Sequence, residues 1–182
     1  MWGKFGGRIH NQVIMRDELK SIFQNVNEWL KFAEAKHAGL IVLSSGMIFG
    51  VLTIYKDYHL FLPKLIILLT ILFFVLSVVF SIISLFPRTC NKLPTRNGIN
   101  NPNLYFAGHL CKLNEDGLKM ELLRIHPNYI FNKFEEDLIN QIIVNATIAT
   151  KKYQLFKFAT ISVATGFIIL LGTILIKIIW HF

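Results

Sequence analysis

Hydrophobic and polar positions follow two different rhythms along this chain. Three stretches are apolar without interruption: Ala38 to Tyr55 (AGLIVLSSGMIFGVLTIY), Leu65 to Phe86 (LIILLTILFFVLSVVFSIISLF) and Phe158 to Trp180 (FATISVATGFIILLGTILIKIIW). The first two contain no charged residue, and the third contains only Lys177, near enough to its end to snorkel. A bilayer core about 30 Å thick is crossed by roughly 20 helical residues, so each stretch predicts one transmembrane helix.

The flanking segments alternate instead. Leu19, Ile22, Phe23, Val26, Leu30 and Ala33 recur at three- and four-residue steps, with Lys20, Ser21, Gln24, Asn27, Glu28 and Lys31 between them. That is one apolar face of a helix, and no Gly or Pro interrupts residues 12–38, so the helix is expected to run on into the first span. A second stripe (Phe134, Leu138, Ile142, Ala146, Ala149, Tyr153 and Phe156) leads unbroken into the third span, with Glu135, Glu136 and Asp137 at a start suited to the helix dipole. Neither stalk can bury its stripe alone, so the two should pack on each other or across subunits.

Between them lies a smaller piece of mixed character. PRTCNKLPTRNGINNP (87–102) is rich in Pro, Asn and Gly and reads as a loop. LYFAGHLCKL (104–113) is too short to decide between strand and helix. Asn114-Glu115-Asp116-Gly117 is a turn or helix cap, Leu118 to Ile125 a short helix, and His126-Pro127 its stop. The chain therefore reads as an all-α membrane protein: three transmembrane helices with long cytoplasmic helical extensions and a small cytoplasmic insert. In order these are an amphipathic helix over 1–37, spans at 38–55 and 65–86 around an external turn at 56–64, a cytoplasmic segment at 87–157 and a span at 158–180. Within the cytoplasmic segment, 87–103 is loop, 104–133 mixed and 134–157 stalk helix.

Composition agrees. Of 182 residues 53% are hydrophobic and only 16% charged, and the mean hydropathy is +0.49, whereas soluble chains carry about 25% charged residues. An ordinary soluble domain is excluded, and so is a disordered chain. The net charge of +8 bears first on topology. Basic residues collect before the first span and at both membrane-proximal ends of the middle segment, which places the N-terminus and that segment in the cytoplasm. Nothing resembles a motif for binding a nucleic acid polymer. Cys90 and Cys111 are too few for a disulfide framework or a zinc site. The first apolar run starts too far from Met1 to belong to a signal peptide.

Catalytic chemistry is not visible. The six histidines show no ligand spacing, and no nucleophile elbow, Walker loop or dinucleotide fingerprint occurs, so the chain is expected to be neither an enzyme nor the holder of a metal or cofactor. The spans lack acids, which disfavours a selective channel or proton-coupled transporter. Their Ser and Thr residues are of the kind that bond between helices, and Gly46 and Gly50 have the GxxxG spacing that permits close approach within the chain or between subunits. Glu34-Ala35-Lys36-His37 places three ionisable groups in the last turn before hydrocarbon. They read either as a collar that fixes depth or as a place where Lys36 meets an acid or anionic ligand. Arg88, Arg96 and Lys151 face lipid phosphates or, with Tyr105 or Tyr153 as a stacking surface, a nucleotide phosphate and base.

The segment NVNEWLKFAEAKHAGLIVLSSGMIFGVL resembles the start of the Pycsar transmembrane effector family, with Ala33-Glu34-Ala35-Lys36 at the entry to the first span. Glutamate stands there where aspartate is commoner, and His37 is interposed. NLYFAGHLCKL (103–113) and EEDLINQIIVNATIATKKYQLFKFA (135–159) are similar to later parts of the family, so the resemblance covers roughly residues 19–180. It implies a bacterial antiphage effector of the inner membrane, multi-pass with its N-terminus cytoplasmic. Such an effector is activated by cyclic CMP or cyclic UMP from a partner pyrimidine cyclase and impairs the bilayer, so that infection aborts. A homo-oligomer is expected. No family motif identifies the ligand contacts, which leaves 87–157, the N-terminal stalk or a subunit interface. The alternatives are a membrane effector answering to a cyclic oligonucleotide, a non-gated membrane scaffold and a small ion channel.

Overall fold

The structure, a computed structural model, describes residues 2–56, 58, 60–86, 102–127 and 129–180. Five helices follow in order, α1 (Trp2–Tyr55), α2 (Phe61–Leu85), α3 (Ala107–Leu110), α4 (Glu115–Ile125) and α5 (Lys133–Trp180), and the described residues include no strand. Three of the helices, α1, α2 and α5, are long and apolar enough to cross a membrane. The first proline of the chain is Pro63, so no proline breaks α1, which is 54 residues long and runs from the N-terminal segment through the first span. Once nucleated, a helix adds residues at little cost. Helix α2 starts early, at Phe61, because Pro63 falls in its first turn, where a missing N–H costs no hydrogen bond.

By compactness the chain forms two units. Unit 1 comprises residues up to Phe32 together with Arg88–Lys151, and its core is apolar: Met15, Leu19, Ile22 and Val26 of α1 meet Leu110, Leu118 and Leu122 of the insert and Ile139, Ile142 and Ala146 of α5. The two stripes thus bury each other within one chain, with the insert as a third wall. The register of α5 differs at its start, where Phe134 is 58% exposed under the Arg16 guanidinium and Glu135 is buried instead. A capping box explains the inversion. The Asn132 side chain accepts from the Glu135 N–H at 3.0 Å, and the Glu135 carboxylate accepts from the Asn132 N–H at 3.0 Å and from the Tyr129 hydroxyl at 2.7 Å.

Local chemistry also decides the insert. Residues 104–113 resolve as a turn and the short α3, since Asn103 Oδ1 accepts from the Tyr105 N–H and His109 Nδ1 from the Asn103 N–H, which bends the chain out of an extended path. The Phe106 ring lies over Gly108, where an added Cβ would stand 2.7 Å from the ring. Asn114 caps α4 by accepting from the Gly117 N–H at 2.8 Å, and Glu115 and Asp116 fill its first turn. Pro127 holds His126 in an extended conformation and stops the helix. Lys119 then bridges Glu115 of α4 and Glu136 of α5 at 2.9 and 2.8 Å, and the Glu136 hydrogen bond raises the lysine's pKa above its ordinary value.

Unit 2 comprises Ala33–Pro87 and Lys152–Phe182, and it brings together the membrane-crossing parts of α1, α2 and α5. Between Leu65 and Leu85 the only polar residues are Thr70, Ser77, Ser81 and Ser84, and all four are buried together with Ile67 and Phe74. Positions 70, 74, 77, 81 and 84 step by four and three, the seam of a coiled coil. Leu72, Val75, Val79, Ile82 and Ile83 between them are exposed.

Candidate functional site

Two arrangements stand out, one in each unit. In unit 1, Asn25, Glu28, Trp29 and Phe32 lie at helical steps of three and four on α1 and line an open notch of about 280 Å³. Trp29 meets Phe106 edge to face at 6.4 Å, and Asn25 Nδ2 donates to the Tyr105 carbonyl at 3.4 Å. Tyr105 and Phe106 are 47% and 45% exposed. Flat aromatic walls with an amide and a carboxylate at the rim suit a planar heteroaromatic group, which stacks while its polar edge is hydrogen-bonded.

In unit 2 the turns of α1 that precede the first span are bound to α5. Lys152, 4% exposed, donates to Glu34 at 2.9 Å. His37 is fully buried, its Nε2–H donating to the Lys152 carbonyl at 3.0 Å, with the Phe156 ring edge to face at 5.5 Å. Burial, only partly offset by that hydrogen bond, lowers its pKa, so the imidazole is neutral at pH 7 and Nδ1 is a bare acceptor with no partner. The Lys36 ammonium lies 5.5 Å from the Tyr153 ring centroid and 5.2 Å from that of Phe156, a cation–π pairing. Burial pushes the Tyr153 phenol up from its ordinary pKa. Deeper along α1, Ser44 donates to Ser77 at 3.2 Å. The Ser81 and Ser84 hydroxyls are buried without a hydrogen-bond partner.

The family model for the Pycsar effector protein domain matches residues 18–179, nearly the whole chain and both of its units. The chain belongs to the Pycsar effector family. Among curated proteins and among solved structures, nothing matches. This Pycsar effector is accordingly an antiphage-defence protein with three helices able to cross a membrane, in agreement with the resemblance visible in Ala33-Glu34-Ala35-Lys36.

The residues singled out in the sequence are spread over both units of the effector. Lys36 and Tyr153 come together in unit 2. The Tyr105 carbonyl accepts from Asn25, one of the residues that line the unit 1 notch, and Lys151 is exposed on the unit 1 part of α5. Arg88 and Arg96 lie outside the described residues, as does most of the 87–103 loop. Gly46 and Gly50 face open space: among the described residues, no atom of another part of the chain lies within 4 Å of an added Cβ. Sequence reading passed over the notch, although Asn25, Glu28, Trp29 and Phe32 stand at i, i+3, i+4 and i+7. It noted the serines without their register, which the seven-residue spacing of Thr70, Ser77 and Ser84 gives away. No cluster of three or more His, Cys, Asp or Glu suited to a metal occurs among the described residues.

Proposed function

We propose that this Pycsar effector is a membrane protein of the bacterial inner membrane, switched on by a cyclic pyrimidine mononucleotide (cyclic CMP or cyclic UMP) that a partner cyclase releases on infection. It acts without catalysis, impairs the bilayer and aborts the infection. The observation that carries this reading is the family match over residues 18–179, on a chain with three membrane-length helices. Its basic N-terminus and middle segment support a cytoplasmic unit 1, on the side where the nucleotide is made.

Two sets of groups support a ligand role. The notch of unit 1, lined in part by Trp29 and Phe32, offers aromatic faces for a base. Within unit 2, Lys36 and Tyr153 offer a cation and a ring; within unit 1, Lys151, Arg88 and Arg96 are cations suited to a cyclic phosphate. Association of several chains multiplies the effect of each bound ligand. Moving a two-state equilibrium from 1:99 to 99:1 takes about 5.5 kcal/mol of differential affinity, more readily shared among subunits than borne by one site.

Membrane potential is the decisive measurement, in cells expressing the chain at low level with cyclases that make cyclic CMP, cyclic UMP or cyclic AMP. Depolarisation with one pyrimidine nucleotide alone is expected. No depolarisation with any of them, in cells where membrane insertion is verified, overturns the reading in favour of a cyclic-oligonucleotide effector or a scaffold.

A further inference from the structure

The interior of unit 2 carries partnerless hydroxyls over one half and is mostly apolar over the other, where the buried Thr70 hydroxyl bonds back to the Ile66 carbonyl of its own helix. From the Ser44–Ser77 contact, seven residues back along α1 lead to His37 and seven forward along α2 lead to Ser84, each about 10 Å away by helix rise. Because the two helices run in opposite directions through that contact, His37 and Ser84 stand toward the same end, with Ser81 between. Ser162 of α5 adds a further buried hydroxyl. In the other direction the seam closes. Phe74 is fully buried, packed edge to face on Phe167 at 5.6 Å, and its ring lies against Gly166, where an added Cβ would be 3.1 Å from it. Val51, Ile67 and Leu170 continue the apolar half.

Hydroxyls that serve only to join helices are expected to be bonded across the interface. Ser44 and Ser77 are, but Ser81, Ser84 and His37 Nδ1 are fully buried acceptors and donors with no partner. Alanine would fill those positions equally well and leave nothing unsatisfied. Groups of this kind, in a row along one helix face, can be matched by water once water reaches them. Every residue of the α2 seam from Ile67 to Ser84 is uncharged, so a wetted seam offers dipoles and no charge selection.

We infer that the hydroxyl face of α2 is the wall of a water-filled route for small monovalent ions, held shut in this structure by Phe74 seated on Gly166. The route rests on the membrane-impairing function proposed above and names how it is carried out: helix separation lets water reach Ser84, Ser81 and Ser77, and displacement of the Phe74 ring removes the dry constriction. Ions then pass through protein, and the surrounding lipid stays ordered.

The test uses the purified full chain in liposomes, with potassium flux as the readout and no nucleotide added. Phe74→Ser is expected to raise flux severalfold, with the more conservative Phe74→Leu in parallel and giving a smaller rise. Adding Ser81→Val and Ser84→Val to Phe74→Ser should return flux to the level of the unaltered protein. In a background where Cys90 and Cys111 are serine, Ser81→Cys should react with a water-soluble thiol reagent only when Phe74 is also replaced. Flux and labelling that stay at the parent level in both Phe74 variants, with the bundle still protease-resistant, overturn the route. Leak in the Phe74 variants that the valines fail to suppress overturns it equally. Depolarisation by a cyclic pyrimidine nucleotide in cells, alongside unchanged Phe74 variants, rejects the route and keeps the proposed function. Leaking variants in a chain that answers no nucleotide do the reverse.

Discussion

Unit 1 and unit 2 are built from the same two long helices and are sorted in opposite senses. Unit 1 has an apolar core, with Met15, Leu19, Leu118, Leu122 and Ile142 fully or almost fully buried, and apart from the capping Glu135 its charges stay toward the surface, as in the Lys133–Asp137 pair. Unit 2 buries Ser44, Thr70, Ser77, Ser81 and Ser84, and turns Leu65, Leu68, Leu72, Val75 and Ile82 outward. The same chain obeys both rules because the surroundings differ. Water drives apolar surface into unit 1. Lipid gives leucine no reason to hide, so small polar groups are what the helices of unit 2 withdraw from hydrocarbon.

The sharpest way to break this contrast is to remove volume from unit 1. Ile142→Ala should cost about 2–5 kcal/mol, the range for truncating a fully buried aliphatic side chain, and amide exchange in the α1 and α4 segments of unit 1 should accelerate while unit 2 stays protected. Exchange that rises equally in both units would show that the two share one core. Next in size is Glu135→Ala, which takes away half of the capping box and the acceptor for Tyr129, at about 1–2 kcal/mol. Glu135→Gln should recover part of that, since glutamine also serves at this position; the first turn of α5 reports it by exchange.

Tyr129 adds a pH signature to the same place. Burial, with the Glu135 hydrogen bond and charge, pushes its phenol up to about 12. A folded pKa above the unfolded one gives stability that is complete below pH 10 and is lost as the pH rises through about 12. Alkaline unfolding of unit 1 should therefore steepen over that window, and Tyr129→Phe should flatten the limb. A tyrosinate absorbance titration of the two proteins checks the assignment.

In unit 2 the sign reverses. Ser81→Ala and Ser84→Ala each delete a hydroxyl that has no partner, so each should stabilise the bundle by roughly 1 kcal/mol, read from resistance to unfolding in denaturing detergent. A loss of stability would mean that the hydroxyls are already bonded to water. Smallest of all is Gly46→Ala. An added Cβ there meets nothing in the chain, so detergent resistance of the single chain should not change. A fall in chain-to-chain cross-linking would place the glycine pair at a contact between copies.

Much of this architecture was legible in the sequence because it rests on local physics. Uncharged runs long enough to cross a bilayer announced α2 and the membrane parts of α1 and α5, and the Leu19 and Ile142 stripes announced that the stalks pair. Phe134 was misplaced because the periodicity of a stripe says nothing about the cap that starts it. Asn132 and Glu135 rotate the first turn, and that reciprocal bond is a three-residue pattern that periodicity ignores. The insert stayed ambiguous because 104–113 owes its bend to Asn103 and His109, two side chains acting on backbone N–H groups. The notch was harder still, since Trp29 and Phe32 belong to a face of α1 that is neither the core stripe nor hydrocarbon. The Tyr105 carbonyl that Asn25 bonds lies 80 residues away along the chain.

The Asn27–Asn145 hydrogen bond, 118 residues apart at 2.8 Å, has a bearing on biosynthesis. Ribosomes add roughly 5–20 residues per second, so the α1 half of that contact waits about 6–24 s for the other half to be translated. During that interval the first two apolar helices have already been made, while Leu19, Ile22 and Val26 have nothing to rest on. A nascent chain released early would carry two membrane segments and a bare sticky stripe, a mark for quality-control proteases. Completion of the unit 1 core thus times when this effector becomes durable, well after its first hydrophobic segments have been made.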